Sequence, residues 1–174
     1  MSPSESVTNF DWATPRINIM SVDITQSSIR TLAGIERLPF IRGFRAHHSP
    51  VRDISPLSKL QRLEYIDLSY SCVTNLAPLR NIRSLHGLNI YGIPCRSLDD
   101  IPTENLNYLV LALDGPKWTG SERLKRDFSG TLEFHSSVVH VPDEFDSLAA
   151  AWEFFDTYNG ALTSSVDNVT NESP

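Results

Sequence analysis

From Ile19 onward, apolar residues return every 22 positions, at places 1, 4, 6, 11, 14, 17 and 20 of each unit. The first unit supplies Ile19, Val22, Ile24, Ile29, Leu32, Ile35 and Leu38, and the second Ile41, Phe44, Ala46, Val51, Ile54, Leu57 and Leu60. The third supplies Leu63, Ile66, Leu68, Val73, Leu76, Leu79 and Ile82, and the fourth Leu85, Leu88, Ile90, Cys95, Leu98 and Ile101, failing only at Glu104. That is 27 of 28 places in a chain whose residues are 40% hydrophobic, which chance does not produce. A repeat of this length constrains the architecture before any other feature does.

Places 4 and 6 alternate inward on a short strand, the period of two. The chain then turns, buries places 11, 14 and 17, and returns. Ser55-Pro56-Leu57 and Ala77-Pro78-Leu79 put proline where a short helical turn begins, because its missing N–H is not needed there. One unit cannot bury its apolar side alone, so units stack and their strands join into a continuous parallel sheet.

Leu63-x-x-Ile66-x-Leu68-x-x-Ser71-x-Val73 and its copies resemble leucine-rich repeats. The 22-residue length and the Leu-x-Pro-Leu-like turns resemble the internalin and phosphatase-regulator type. Over roughly residues 19–136 the resemblance implies an α/β solenoid. Its form is a horseshoe with about six parallel strands on the concave face, short helical turns on the convex side and a C-terminal capping helix. Most such repeats carry asparagine at place 9, where its amide bonds to the turn backbone. This chain has Ser27, Ser49 and Ser71, whose hydroxyls are expected to do the same more weakly.

The expected organisation is an N-terminal cap over 1–18, with Phe10 and Trp12 covering the first repeat, then repeats over 19–136. Leu106, Leu109 and Leu111 restart the strand pattern after a step of 21, and Leu132 and Phe134 after a further 23. Between them, 114–128 reads as an irregular insertion with Gly115-Pro116, Trp118 and a short helix over Ser121 to Asp127. A capping region follows over 137–160, its helix N-capped by Asp143, running to Tyr158 and stopped by Asn159-Gly160. Its Phe145, Leu148, Trp152 and Phe155 fall on one helical face, a pattern that fits core capping better than a cofactor or membrane role. The small, polar residues 161–174 read as a disordered tail.

Two cysteines, Cys72 and Cys95, are too few for a disulfide framework or a zinc site and read as free thiols. The N-terminus lacks the basic and apolar stretches of a signal peptide, and no apolar run is long enough to span a membrane. A cytoplasmic protein is expected, with the Asn168 and Asn171 glycosylation triplets coincidental. The net charge of −6 divides unevenly. Through Arg83 there are ten Lys/Arg against seven Asp/Glu; from Ser84 there are five against fourteen. The acidic balance disfavours nucleic acid and suits a basic protein partner.

On such a sheet, places 3, 5, 7 and 8 point outward over six strands. These 24 places hold four of the five tyrosines (Tyr65, Tyr70, Tyr91 and Tyr108) and three of the five histidines (His47, His48 and His135). Arg45, Asp67, Asn89 and Glu133 share the central column, and together these eleven residues form the candidate partner-binding face. Tyrosine and arginine carry much of the energy at protein interfaces, although tyrosine also favours strands for its own reasons. Gly43 and Gly87 flank Tyr65 across the strands and leave its ring room. Asp23, Arg45 and Asp67 fall on successive strands as an ion ladder, serving either a partner or the relief of like-charge repulsion.

Neither catalytic residues, nor a metal site, nor a cofactor is expected. His47 and His135 lie four strands apart, roughly 19 Å at the sheet spacing, and no nucleophile elbow, zinc-protease, P-loop or dinucleotide motif occurs. A repeat domain without attached machinery acts by occupancy. The favoured reading is an inhibitor or immunity-type protein that neutralises a basic toxin or enzyme, for example a nuclease-like one. The alternatives are an adaptor or regulatory subunit that positions a partner and, less favoured, a metal-dependent hydrolase using His47 and His48.

Overall fold

A computed structural model describes residues 9–10, 13, 18–114, 117–137 and 139–159. Trp12, Gly115-Pro116, Gly160 and the segment 161–174, with its two glycosylation triplets, lie outside the described residues. Six strands form one parallel sheet in chain order: β1 Ser21–Asp23, β2 Gly43–Arg45, β3 Tyr65–Asp67, β4 Gly87–Asn89, β5 Tyr108–Ala112 and β6 Thr131–His135. Their register follows the repeat column by column, as in Val22↔Phe44, Phe44↔Ile66, Ile66↔Leu88, Leu88↔Leu109 and Leu109↔Leu132. Of the periodic apolar residues, all are buried except Ile19, which is half-buried at the open start of the stack.

The returning chain makes 3-10 turns at Ile35–Arg37, Ser55–Lys59 and Ala77–Asn81, the last two with proline in their first turn. Place 13 of each unit opens this return. Thr31 Oγ1, Asp53 Oδ1, Asn75 Oδ1 and Ser97 Oγ each accept the N–H two residues on, from Ala33, Ser55, Ala77 and Asp99. All four are short side chains that cap backbone N–H groups, a periodic polar signal beside the apolar one. The fourth unit makes no 3-10 turn. The proline of its return is Pro102, two places later than Pro56 and Pro78, where it restricts Ile101 and removes an interior donor.

The described residues 117–128 continue the back of the stack. Thr119 bridges Ser97 in parallel, 22 residues apart, and the helix α1, Ser121–Asp127, occupies the span read from the sequence. Trp118 is buried, donates from its indole to Ala112 O at 2.6 Å, and lies under the Arg96 guanidinium at 4.8 Å.

The closing helix α2 covers Leu148–Tyr158 and starts later than expected. Its N-cap is Ser147, which accepts from Ala150 N–H, whereas Asp143 lies in the preceding loop. Trp152 and Phe155 are buried, and Phe155 stacks on Phe134 of the last strand. Asn159 then clamps the helix end, accepting from Trp118 N–H at 2.7 Å and donating to Trp118 O at 3.1 Å. At the other end, Phe10 is buried and donates its N–H to Ala33 O.

The serines of place 9 depart from expectation. Ser27 Oγ accepts from Ile29 N–H, but the hydroxyls of Ser49 and Ser71 are buried without a hydrogen-bond partner among the described residues. The turns there close through backbone alone, Ser49 N–H to Ala46 O and Ser71 N–H to Leu68 O. A serine hydroxyl is shorter than an asparagine amide and stops short of the turn.

Candidate protein-binding face

Strand alternation turns places 3, 5 and 7 away from the core, and the turn that follows each strand sets place 8. Gln26, His48, Tyr70 and Gly92 occupy place 8 of four successive units, all with positive φ, between 51° and 69°. Only the glycine adopts that backbone freely; the others accept strain on the order of 1–2 kcal/mol each. The strain keeps two large rings, His48 and Tyr70, at the rim of the sheet. Gly92 has a second reason to lack a side chain, because a Cβ there would come within 2.8 Å of the Tyr70 ring.

Five of the candidate residues meet ring to ring. His48 stacks on Tyr70 with centroids 4.4 Å apart and planes 4° from parallel. His47 stands edge-on to both, Tyr70 meets Tyr91 edge-on at 4.9 Å, and Tyr91 meets His135 at 5.1 Å. The band crosses β5 because place 7 there is Ala112, too small to separate Tyr91 from His135. His47 and His135 therefore stand at opposite ends of the band.

A second group lies toward the strand starts. Tyr65 is 56% exposed and lies over Gly87, where a Cβ would meet its ring at 2.7 Å. Its space is thus on the Gly87 side; Gly43 faces Ser21 instead. Tyr108 also borders Gly87 and donates to Glu133 Oε2 at 2.6 Å. Burial, together with the bond and charge of Glu133, raises the Tyr108 phenol to about 12. The Tyr91 phenol also rises to about 12, through its bond with Tyr70, burial, and the charges of Tyr70 and Asp114. Both rings stay neutral donors through the physiological range.

The central column corrects the ladder. Arg45 lies between Asp23 and Asp67 in register but forms an ion pair with neither. Each acid instead caps its own strand end: Asp23 accepts from Thr25 N–H, Asp67 from Ser69 N–H, and Asn89 in the same way from Tyr91 N–H. The Thr25 hydroxyl and then the Thr25 N–H hold Asp23 below the usual carboxylate range, with Arg45 a smaller contributor. Asp67 also accepts the Ser69 hydroxyl, whose oxygen is 2.7 Å from His47 Nδ1. Since Ser69 spends its proton on Asp67, its oxygen accepts and His47 donates to it from Nδ1. Ser69 was present in the place 7 column, but nothing in the sequence marks it as the link between two candidates.

Not every outward place is open. Val110 and Ala112 are buried although they turn from the core and lie outside its packed cluster, and Leu113, at place 8, packs into that cluster. Beside them sits Asp114, which the sequence reading passed over. It accepts from Ser136 Oγ, Ser137 N–H and Ser137 Oγ, tying the end of β5 to the end of β6. Burial opposes its ionisation, but these bonds and the charge of Arg96 prevail and hold its carboxyl low.

No family model matches the chain, and no curated protein does. Among solved structures, similar ones include an internalin (inlF) and an internalin C2 (inlC2), both from Listeria monocytogenes. The first is 17% identical with a TM-score of 0.48, over 72% of this chain and 50% of that one. The second is 15% identical with a TM-score of 0.48, over 71% of this chain and 65% of that one. The chain thus spans about half the length of the one and under two thirds of the other. Its own register of six parallel strands, repeating every 22 residues through the fourth, decides the architecture. The fold is a leucine-rich-repeat solenoid. No helix among the described residues of this solenoid is long and apolar enough to cross a membrane.

Proposed function

We propose that this chain is a non-catalytic protein-binding domain whose sheet face grips a basic partner in the cytoplasm and neutralises it, as an inhibitor or immunity-type protein does. The observation that carries the reading is the ring band from His47 and His48 through Tyr70 and Tyr91 to His135. It is a contiguous, rigid, amphipathic surface of the residue types that dominate interface energies. Two features support it. Strained backbone at His48 and Tyr70 is retained where glycine would relieve it, and Arg45 stands exposed beside the band without an ion-pair partner among the described residues. The acidic balance of the second half supports a cationic target.

The test is capture from the native organism by wild type and by a folded Tyr65/Tyr70/Tyr91→Ala variant. A partner held by wild type and lost with the variant is the expected result. Each lost anchor should weaken binding by about 2 kcal/mol, roughly 30-fold. Equal retention by both would remove the face from the account. Partner activity at equimolar ratio then separates the roles: its abolition marks an inhibitor, whereas intact or redirected activity marks an adaptor. A stoichiometric metal ion lost with His47→Ala would replace both readings with the hydrolase.

A further inference from the structure

Among the described residues the sheet ends on β6, whose outer edge pairs with no further strand. In the ladder Thr131 N–H donates to Asn107 O and Leu113 N–H to His135 O, so Thr131, Glu133 and His135 direct their backbone groups at β5. The N–H and C=O of Leu132 and Phe134 therefore point away from the sheet, and among the described residues no strand pairs with them. β6 is five residues long against three for each of β1 to β4, an edge of about 17 Å. Natural sheets guard such edges with lysine, proline or a covering element. Here the edge opens instead into a cavity of about 900 Å³ between β6 and the segment from Val139 to Leu148.

The lining identifies what fits. Glu133, Asp143 and Glu144 border the cavity, without a lysine or arginine among its lining residues. After Arg126 the chain contains no Lys or Arg at all, while nine Asp and Glu occur from Asp127 onward. On the inner side, Val141, Phe145 and Leu148 offer half-buried apolar surface next to Phe134. A strand added along β6 would alternate its side chains between the Glu133 side and the Phe145 side. We propose that the β6 edge is a second docking site, which takes an extended, basic segment of a protein by strand addition, with cationic and apolar side chains alternating. The site touches the ring band only at His135, which lines the cavity, and uses none of its other rings.

A fluorescent octapeptide alternating lysine and valine is the probe, read by polarisation, beside the same peptide N-methylated on alternate backbone nitrogens. Saturable binding by the first, at least tenfold weaker binding by the methylated form, and slowed hydrogen exchange at the Leu132 and Phe134 amides are expected. Asp143→Lys/Glu144→Lys, both exposed, should weaken binding at least tenfold with an unchanged melting curve. Equal affinity for the methylated peptide would reduce the effect to charge attraction and overturn strand addition. So would protection at His47 to Tyr91 instead of β6, absence of binding, or a dimer of this chain that occupies the edge. The Tyr65/Tyr70/Tyr91→Ala variant should keep full peptide affinity, which separates the failure of this site from failure of the ring band.

Discussion

Between Ile19 and Ile82 the chain reverses direction with bonds that reach two residues: Thr31 to Ala33, Asp53 to Ser55, Asp67 to Ser69, Asn75 to Ala77. Between Arg96 and Asn159 it is held by bonds that reach much further. Asp114 reaches Ser136 and Ser137, Lys125 reaches Asp156, Arg123 reaches Asp99 O, and Trp118 reaches Asn159, 41 residues away. The first region is a stack in which each unit closes itself and leans on its neighbours. The second is cross-braced, so that α1, β6 and α2 depend on one another. Substitutions should therefore act locally and additively in the first region, and cooperatively in the second.

The largest effect is expected from Trp118→Ala, which empties a core site and also removes the indole bond to Ala112 O. It should cost about 3–5 kcal/mol by denaturant unfolding and speed hydrogen exchange in α2. A loss under about 1 kcal/mol, or an α2 that stays protected, would break the idea of cross-bracing. Asp114→Asn should cost about 1–3 kcal/mol, since three donors lose a charged acceptor. The sign of its pH dependence follows from a folded carboxyl lower than its unfolded value. Its stability is present above the ordinary carboxylate range and is lost as pH falls through the depressed folded value, so the variant should flatten the acid limb below about pH 4.

In the first region, Asn75→Ala should cost about 1 kcal/mol. Combined with Thr31→Ala, two repeats away, the costs should add to within about 0.5 kcal/mol. Coupling larger than that would show the regular half to be braced as well. The smallest effect is expected at Ser71, whose buried hydroxyl has no partner among the described residues. Ser71→Ala should leave stability within about 0.5 kcal/mol of wild type or raise it, and a clear loss would mean that the hydroxyl bonds after all.

The candidate face was legible to the extent that it is periodic. Columns counted from Ile19 placed Tyr65, Tyr70, Tyr91, Arg45 and the histidines on one side of the sheet, because strand alternation and a fixed repeat leave one solution. The contacts among them were not legible. That Arg45 pairs with neither acid, that Ser69 joins His47 to Asp67, and that Ala112 lets Tyr91 reach His135 all depend on side-chain rotamers and on local bonds that compete with cross-strand ones. The caps at place 13 were legible and were missed, since polar periodicity is less conspicuous than apolar periodicity.

The sequence by itself determined the stack: the repeat length, the buried set, the strand positions and the sign of the charge at each end. These are properties of spacing and composition, and each is satisfied within one unit and its neighbour. Tertiary structure alone decided how the second half of the stack is braced. Where Asp114, Trp118 and Asn159 find their partners, why α2 takes Ser147 as its N-cap, and why no described strand pairs beyond β6 all turn on contacts between segments far apart in the chain. No local period records such contacts, because their stability comes from closing long loops around one shared core.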